Sequence, residues 1–389
     1  MEVKKLKECC TIIAGQSPES KYYNSNGDGL PFFQGKADFG ELYPSIRVYC
    51  SQPTKIAEKD DILLSVRAPV GPTNLAPCKV CIGRGLTAIR PSEVLLTRYV
   101  LLFFRYFEAQ LASKGTGTTF KAITQDVVKN LEIPIPPLPE QERIVARIEE
   151  LFSQLDAGVE TLKKTKAEIV LYRQAVFSSV IGKYDGVSKK LSDIAVTVDG
   201  DRGKNYPKKA ELTQTGDCLF LTAANVKPYG WSFEDNTFIS KEKDGILHGG
   251  RLQKNDVVIT TRGTLGNVAI YDESVPFDTV RINSCMLIMR VTDESVSPYY
   301  LAQYLMSPMF KYQIAKLKSG TAQPQIPANI LREIPLKIPS SNDQNAIIGE
   351  LTGKFSVCDS IEQTVDTALQ QAEAMRQSIL KNAFEGKLT

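Results

Sequence analysis

The sequence has few of the residues that metal-dependent or histidine-dependent chemistry requires. It contains one histidine, His248, and spacing assigns no carboxylate or serine to it as a partner, so we expect a surface or hydrogen-bonding role. The eight cysteines are scattered, and the pair at metal-binding spacing, Cys78 and Cys81, has neither a second pair nor a histidine nearby. Structural zinc sites need four ligands. We therefore predict no metal site and reduced, mostly packed thiols.

Long apolar runs are also absent. The sequence has no stretch of about eighteen apolar residues, which is the length that suggests a membrane-spanning helix. Residues 1–8 lead directly into mixed sequence instead of an apolar secretion signal. We expect a soluble, cytoplasmic protein without a membrane partner.

Motifs of ATP-hydrolysing, DNA-cleaving and methyl-transferring enzymes are incomplete or absent. Residues 349–355 resemble a P-loop but have one spacer residue too few and no hydroxyl residue after Lys354. Residues 385–387 match the end of a nuclease motif only by chance, and no Asn-Pro-Pro-aromatic methyltransferase motif occurs. We therefore predict that the chain is not an enzyme and carries no cofactor of its own.

The most informative feature that is present is a long helix that occurs twice. Residues 138–182 have a single internal glycine, Gly158, and an apolar residue at every seventh position, which is typical of a coiled coil. The pattern returns at an offset of 203 residues. We name these positions the helix seam, and they are Ile148, Leu155, Leu162, Ile169 and Val176 in the first copy and Leu351, Cys358, Val365, Ala372 and Ile379 in the second.

The ends of both helices carry recognisable signals. Ser341 and Gln344 have the spacing of a capping box, in which each side chain satisfies a backbone group of the other residue. Gly182 and Gly386 are predicted to end the helices in the left-handed conformation that favours glycine.

The segments between the helices also repeat. Residues 60–71 match residues 255–266 at an offset of 195, with Arg67 over Arg262, and a helix over 299–317 takes the place of one over 95–111. The length of 389 residues favours two to three domains. We predict an α+β fold with an internal pseudo-twofold repeat, in which the two long helices pack antiparallel. The predicted segments are a globular domain at 1–137, a helix at 138–183, a globular domain at 184–339 and a helix at 340–389.

Charge divides along these boundaries. The whole chain carries a formal charge of +3, and the excess of lysine and arginine lies in the globular segments, while the long helices are slightly acidic. A polyanion would therefore bind the globular segments. Two basic domains with twofold symmetry suit a duplex that presents two separated sites.

Six segments carry a family resemblance across nearly the whole chain. They resemble segments of the specificity subunit (HsdS) of type I restriction-modification systems, in the same order and with the same duplication. The first is the proline-rich strap that enters the helix, and the others are similar to segments of target-recognition domains. These segments are residues 133–144, 82–91, 115–123, 199–207, 256–263 and 319–326.

The resemblance implies a function and a set of partners. Each globular segment is then a target-recognition domain that reads one half of an asymmetric, bipartite site in double-stranded DNA. The long helices space the domains and bind two modification (methyltransferase) subunits, and restriction subunits join the complex. S-adenosylmethionine, ATP and magnesium are implied for those partners and not for this chain. The second strap departs from the family form at residues 339–344, which leaves open whether both helix starts engage partners identically.

Two alternatives remain at this point. The chain could be a coiled-coil scaffold that binds only proteins, or the specificity module of another methyltransferase type. Basic loops that bear glutamine and asparagine favour DNA binding over a pure scaffold, because Gln, Asn and Arg form paired hydrogen bonds with base edges and Lys and Arg bind phosphates.

Candidate DNA-binding residues follow from this chemistry in the polar loops. Arg67 and Arg262, at equivalent positions, either brace the fold or contact DNA. In the first domain the candidates are Gln34, Lys36, Arg67, Arg84, Lys114, Thr116 and Lys121. In the second domain they are Arg202, Lys204, Asn205, Tyr206, Asn225, Lys227, Arg262, Gln323 and Gln325.

Overall fold

A computed structural model describes residues 2–115, 122–317 and 325–388. The chain divides into two compact units, which we name unit 1 (Met1–Lys163 with Asp366–Thr389) and unit 2 (Lys164–Val365). Each unit contains a β-rich globular part and a segment of both long helices. Within the described ranges, no helix combines the length and apolar character needed to cross a bilayer.

The elements of the first half of the chain run from a short terminal strand to the first long helix. The strands are β1 Glu2–Lys5, β2 Cys10–Ala14, β3 Tyr23–Asn24, β4 Leu30–Phe33, β5 Tyr49–Cys50, β6 Ile56–Ala57, β7 Ile62–Ser65, β8 Thr73–Leu75, β9 Val80–Ile82, β10 Leu86–Pro91 and β11 Glu132–Ile135. The helices are α1 Leu6–Cys9, α2 Thr97–Ser113, α3 Gln125–Lys129 and α4 Leu138–Gly182.

The second half repeats this order. The strands are β12 Val187–Lys190, β13 Ala195–Asp199, β14 Cys218–Leu221, β15 Val226–Lys227, β16 Gly230–Trp231, β17 Phe238–Ile239, β18 Asp256–Thr260, β19 Val268–Tyr271, β20 Val280–Ile282, β21 Met286–Val291 and β22 Pro335–Ile338. The helices are α5 Leu191–Ile194, α6 Lys241–Ile246, α7 Pro298–Met306, α8 Pro308–Leu317, α9 Ala328–Arg332 and α10 Ser341–Phe384.

The two units share the topology of their central sheet. The central antiparallel sheet has the strand order β2-β10-β7-β8 in unit 1 and β13-β21-β18-β19 in unit 2. Each unit also has a second sheet that contains one parallel pair, β4 with β9 and β14 with β20. A short antiparallel pair, β1 with β11 and β12 with β22, joins the start of each globular part to the strap before the long helix.

Both faces of the central strands are buried. One face packs against a helix, and the opposite face packs against the second sheet. Side chains alternate between the faces of a strand. Ile62 and Leu64 of β7 therefore pack with α2, while Leu63 packs with Phe33 of the second sheet. In unit 2, Val257 and Ile259 pack on the α7 side and Val258 faces the other way.

The predicted single helix over 299–317 is wrong. The structure has two helices there, α7 and α8, which are separated by Ser307, and Pro308 is the first residue of α8. Proline lacks the backbone N–H that a helix interior requires and restricts the residue before it. Ser307 is accordingly extended, and its hydroxyl accepts a hydrogen bond from the backbone N–H of Phe310 at 3.3 Å.

Each long helix begins with a buried glutamine that bonds the globular part of its own unit. Gln141 accepts a hydrogen bond from the backbone N–H of Leu96 at 2.9 Å and donates to the carbonyls of Val94 and Pro136, both at 2.8 Å. Its side chain is fully satisfied although it is 0% exposed. The first turn of the helix is therefore fixed to the globular part.

Gln344 makes the same three contacts in unit 2, which corrects the predicted capping box. It accepts from the N–H of Ser297 at 2.8 Å and donates to the carbonyls of Ser295 and Pro339 at 2.8 and 2.9 Å. The cap lies one residue earlier, where the Ser340 hydroxyl donates to Asp343 at 2.7 Å and accepts from its backbone N–H.

The two helix-ending glycines differ from each other. Gly386, with φ of 71°, has the predicted left-handed conformation just beyond α10. Gly182 is the last residue of α4 and is not among the residues of positive φ, so the prediction was wrong for it.

The long helices pair with each other within each unit, and the pairing is antiparallel. In unit 2, Arg173 of α4 bonds Asp359 of α10 at 2.6 Å, while Lys183 further along α4 bonds Glu350 earlier on α10 at 2.9 Å. In unit 1, Arg376 forms an ion pair with Asp156. All ten helix-seam side chains are buried or half-buried. Three large apolar side chains four residues before a helix-seam position, Tyr172, Ile361 and Met375, are exposed.

Candidate nucleic-acid interface

Three turns meet at the carboxyl ends of β4, β7 and β9 in unit 1. The backbone N–H of Val66 donates to the carbonyl of Gly85 at 2.9 Å, and that of Gly83 donates to Phe33 at 2.8 Å. The backbone N–H of Ile123 donates to the carbonyl of Val66 at 3.0 Å. We name this group of turns, residues 34–36, 66–71 and 83–85, turn cluster 1.

Turn cluster 1 depends on close backbone approach. A Cβ atom at Gly85 would collide with the carbonyl oxygen of Gln34, and one at Gly15 would collide with the carbonyl oxygen of Gly83. Glycine is therefore required at these two places. This packing holds the polar side chains of the turns side by side.

Four sequence-predicted residues of unit 1 lie in turn cluster 1. Gln34, Lys36, Arg67 and Arg84 are all exposed. Within the described residues, the side chains of Arg67 and Arg84 form no ion pair or hydrogen bond. Exposed, unpaired guanidinium groups can bind phosphates or the acceptor edge of guanine.

Lys36 also faces a charged cavity of about 300 Å³ in unit 1, which Arg105, Glu108 and Arg376 line with it. Burial raises the pKa of Glu108, and the nearby charges of Lys36 and Arg105 oppose that shift. Lys36 is therefore partly engaged with its own chain, which makes it a weaker candidate than Arg67 or Arg84.

Lys114 is exposed directly after α2. Thr116, Lys121 and Gln323, which we also predicted, lie outside the described residues.

Unit 2 builds the equivalent structure, which we name turn cluster 2 (residues 222–225, 261–266 and 283–285). The backbone N–H of Thr261 donates to Cys285 at 2.8 Å, and that of Asn283 donates to Leu221 at 3.0 Å. Ile326 donates to Thr261 at 3.0 Å. Each of these three bonds has a counterpart between the equivalent residues of turn cluster 1.

Three of the predicted residues of unit 2 gather at turn cluster 2. Arg262 is exposed, and its backbone forms an isolated β-bridge with Gln325, which is exposed as well. Arg202 donates to the carbonyl of Ser284 at 3.4 Å and forms an ion pair with Asp199 at 3.3 Å. These two contacts hold the Arg202 side chain against turn cluster 2.

The loop that carries Arg202 also carries three further candidates. Lys204 is exposed, whereas Asn205 and Tyr206 are half-buried. The Asn205 side chain donates to the carbonyl of Ile246 at 3.5 Å, and the Tyr206 ring packs edge-on against Phe220 at 5.8 Å. Lys204 is the most accessible of the three.

Lys227 lies apart, on the hairpin formed by β15 and β16. It is exposed, and Asn267 anchors the hairpin by donating to the carbonyl of Val226 at 2.8 Å. Because Asn267 directly follows the turn at 261–266, the hairpin lies beside turn cluster 2.

Asn225 requires a correction. Its side chain is 2% exposed and accepts from the backbone N–H of Thr222 at 2.9 Å. Its amide donates to the carbonyls of Ser232 and Asp235 at 3.1 and 3.0 Å. Each polar atom of the side chain is therefore used to hold the turn, and we withdraw Asn225 as a base-reading candidate.

Sequence reasoning missed Asp201, which lies beside Arg202. Its carboxylate accepts from the backbone N–H of His248 at 2.6 Å. Partial burial opposes ionisation, but the backbone N–H groups of His248, Gly249 and Arg202 outweigh it and lower the pKa of Asp201. The signal was present in the acidic pair around Gly200, and an ionised carboxylate here can accept a hydrogen bond from the amino group of cytosine.

His248 itself is exposed, on a loop that a buried ion pair supports. Arg281 bonds Asp244 at 2.8 Å, and it also donates to the carbonyl of Gly249. The backbone that carries the exposed imidazole is therefore held beside Asp201. Within the described residues no group of three or more His, Cys, Asp or Glu side chains is arranged to hold a metal ion.

The chain matches the sequence profile of the type I restriction modification DNA specificity domain over residues 1–170 and 185–371. It belongs to this family. The match includes both turn clusters, and it supports the specificity-subunit interpretation over the protein-only scaffold.

Relatives in this family differ in how much of their length is similar to this chain. The proposed type I restriction enzyme MjaX specificity subunit of Methanocaldococcus jannaschii is 39% identical over 171 residues, which are 44% of this chain and 39% of that protein. The EcoBI specificity subunit of Escherichia coli is 23% identical over 325 residues, which are 76% of this chain and 68% of that protein. The chain thus spans about two fifths of the first relative and two thirds of the second.

Solved structures support the fold of the specificity subunit. One comes from work titled as the structural basis of complex assembly and conformational transition of the type I R-M system. It has a TM-score of 0.74 at 18% identity, over 99% of this chain and 98% of that chain. The HsdS subunit from Thermoanaerobacter tengcongensis has a TM-score of 0.50 at 18% identity, over 99% and 97%. The predicted α+β fold, with two globular domains and paired long helices, is confirmed.

Proposed function

We propose that each unit reads one half of a bipartite site in double-stranded DNA, and that the turn clusters are the reading surfaces. The observation that carries this proposal is the duplication of one arrangement of turns at the carboxyl ends of matching strands, with an exposed arginine, Arg67 or Arg262, at the same place in each. Arginine, lysine and glutamine are the residue types that contact phosphates and base edges.

The two clusters differ in ways that suit an asymmetric site. Turn cluster 1 presents Gln34 and Arg84, whereas the equivalent residues that follow β14 and β20 are Thr222 and Ser284. Turn cluster 2 has Arg202 and Asp201 at its edge instead. Different donors and acceptors select different base pairs.

The long helices are proposed to set the spacing between the half-sites and to dock two modification subunits. Both helices pair along the helix seam, and the exposed positions Tyr172, Ile361 and Met375 leave apolar surface that a partner could cover. Exposed apolar groups of this kind are typical of interaction surfaces. Restriction subunits would join the same assembly in the cytoplasm.

Catalysis is assigned to these partners. Methyl transfer from S-adenosylmethionine and ATP- and magnesium-dependent cleavage would reside in the modification and restriction subunits. This chain would act as a non-catalytic specificity subunit.

The test is to produce the chain together with the modification subunit from the same operon in a host that lacks adenine methylation, and to map methylated adenines by sequencing. We expect one asymmetric motif with two defined halves and a spacer of fixed length. The modification subunit alone is the matched control and should leave no such motif. Absence of a bipartite motif would refute the proposal, and a contiguous motif would support a module of another methyltransferase type.

A further inference from the structure

Arg67 and Arg262 occupy the same place in the two units. Each lies two residues beyond a central strand, β7 or β18, and each pairs its backbone with a residue further along the chain, Ala122 or Gln325. The turn that follows closes in the same way in both units, because a glycine N–H donates to the last strand residue at 2.9 Å.

The turn that carries each arginine is held by a side-chain hydroxyl group of the last strand residue, which donates to backbone carbonyls of the turn. Ser65 donates to the carbonyls of Arg67 and Pro69 at 3.1 and 2.9 Å. Thr260 makes the equivalent bond to the carbonyl of Thr264. The turn is therefore rigid, while the arginine side chain projects as an exposed group.

A second repeated arginine pair shows what a bracing arginine looks like in this fold. Arg90 donates through Nε and an Nη atom to both carboxylate oxygens of Asp61, at 2.8 and 2.7 Å, and Arg290 does the same to Asp256 at 2.9 and 2.7 Å. Both carboxylates are buried. Arg67 and Arg262 have no such partner among the described residues, so a bracing role has no contact to support it.

The neighbours of these arginines differ between the units. Beside Arg67 lies Arg84, and at the equivalent position beside Arg262 lies Ser284. Two half-sites of different sequence differ in their base edges, but both present the same sugar-phosphate backbone. A residue with identical placement in both units therefore suits a contact with the backbone, which carries no sequence information.

We propose that Arg67 and Arg262 each bind a backbone phosphate of their half-site, as matched anchors, and that base reading falls to the neighbours that differ. This inference rests on the proposed function and adds to it a division of labour within each turn cluster. It resolves the alternative between bracing and DNA contact that the sequence left open.

The experiment uses the chain assembled with its modification subunits and a 40-base-pair duplex that carries the methylated motif mapped for the wild type. Fluorescence anisotropy across a salt series gives the slope of log affinity against log salt. Each phosphate contact contributes about 0.9 to that slope. We expect Arg67→Ala and Arg262→Ala each to lower its magnitude by about 0.9, so that raising salt fourfold weakens binding about 3.5-fold less.

Three further variants make the test specific. Arg67→Lys should restore most of the slope, since lysine also binds phosphate as a point charge. Lys79→Ala removes one charge at the opposite end of β9 and should leave the slope unchanged. Arg84→Ala should relax the methylated motif at one base pair of one half-site, whereas Arg67→Ala should leave the motif intact.

Several outcomes overturn the inference. An unchanged slope for both alanine variants excludes phosphate contact. A motif relaxed at one base pair by Arg67→Ala and not rescued by lysine means that Arg67 reads a base. An earlier melting transition for both alanine variants would show that the arginines brace the fold. If the wild type yields no bipartite motif, the proposed function itself fails, which is a different result from any of these.

Discussion

The guanidinium of Arg173 lies 4.8 Å from the ring centre of Tyr229, and it also lies 5.3 Å from the ring centre of Phe355. The same contact exists in unit 1, where Arg376 lies 5.2 Å from Phe152. Adding 203 to Phe152 and to Arg173 gives Phe355 and Arg376. The duplicated helices thus exchange roles, with each supplying the arginine in one unit and the phenylalanine in the other.

The two arginine contacts should differ in their contribution to stability. Arg173 is 1% exposed, whereas the side chain of Arg376 is 27% exposed. Arg173→Ala should lower the free energy of unfolding by about 3 kcal/mol, because it empties a buried site and breaks its ion pair. Arg376→Ala should cost about 1 kcal/mol.

Urea denaturation of the two variants, followed by far-UV circular dichroism, gives the comparison because this signal includes both units. Trp231 lines the same cavity of about 520 Å³ as Arg173, so its fluorescence reports in addition on unit 2. Equal losses for both variants would contradict the burial argument.

Gln141 should be among the most sensitive polar residues of the chain. Gln141→Ala leaves one N–H and two carbonyls without their partner in a buried site, and each unsatisfied group costs about 1–3 kcal/mol. We expect a large drop in melting temperature and faster amide hydrogen exchange at Leu96. Gln154→Ala, at an exposed position of α4, is the control and should behave like the wild type.

Lys204 and Lys227 are expected to contact phosphates at the edge of turn cluster 2. Replacing each with alanine should weaken DNA binding and lower the magnitude of the salt slope by about one unit per lost contact. Anisotropy titrations at several salt concentrations measure this. A slope equal to that of the wild type would remove these lysines from the interface.

Helix length should determine the spacer of the DNA site. Seven residues of α-helix rise about 10.5 Å, which is close to three base pairs of duplex. Inserting one heptad into both long helices, with the helix seam kept in register, should therefore lengthen the spacer by about three base pairs and leave both half-sites unchanged. Methylation mapping reads out the motif, and an unaltered spacer would defeat this prediction. Insertion into one helix only serves as the control, because it puts the seam out of register.

The ionisation of Asp293 should make the free energy of unfolding depend on pH in the acidic range. The ammonium group of Lys189 at 2.6 Å, with the hydroxyl and N–H of Ser295, lowers the pKa of Asp293 to about 2. An ordinary aspartate in the unfolded chain titrates near about 3.9. The stabilisation is therefore complete above about pH 4 and is lost as pH falls through about 2.

Thermal melts of Asp293→Asn across pH 2–7 test this window. The variant should melt earlier than the wild type at neutral pH, and the two should converge as the pH approaches 2. Glu234→Gln, at an exposed position of the same unit, should show no such convergence.

The repeat was visible in the sequence because heptad spacing is a local property that survives as a regular pattern. Pro308 was equally visible, but the apolar run around it favoured one helix over two. Gln344 was misassigned because its capping spacing is local, while its true partners at Ser295 and Ser297 lie almost fifty residues away. The patterns of nearby residues thus predicted helices and strands, but they did not predict the contacts between them.

The candidate site shows the same limit. Gln34, Arg67 and Arg84 were selected by chemistry, but their assembly depends on backbone bonds between distant turns that no spacing reveals. Asn225 was selected for the same chemistry and is buried. Residue type could not separate an amide that faces solvent from one that closes a turn.

The glutamine at the start of each long helix has a consequence for how the recognition domains can change. The hydrogen bonds of Gln141 and Gln344 all go to backbone atoms, and Tyr99 and Tyr300 donate to backbone carbonyls of the straps, those of Pro134 and Lys337. These bonds require the backbone path and one tyrosine on the globular side of each joint, and they set no condition on its other side chains. A recognition domain of different sequence could therefore be grafted onto the same helices at this joint without redesigning it.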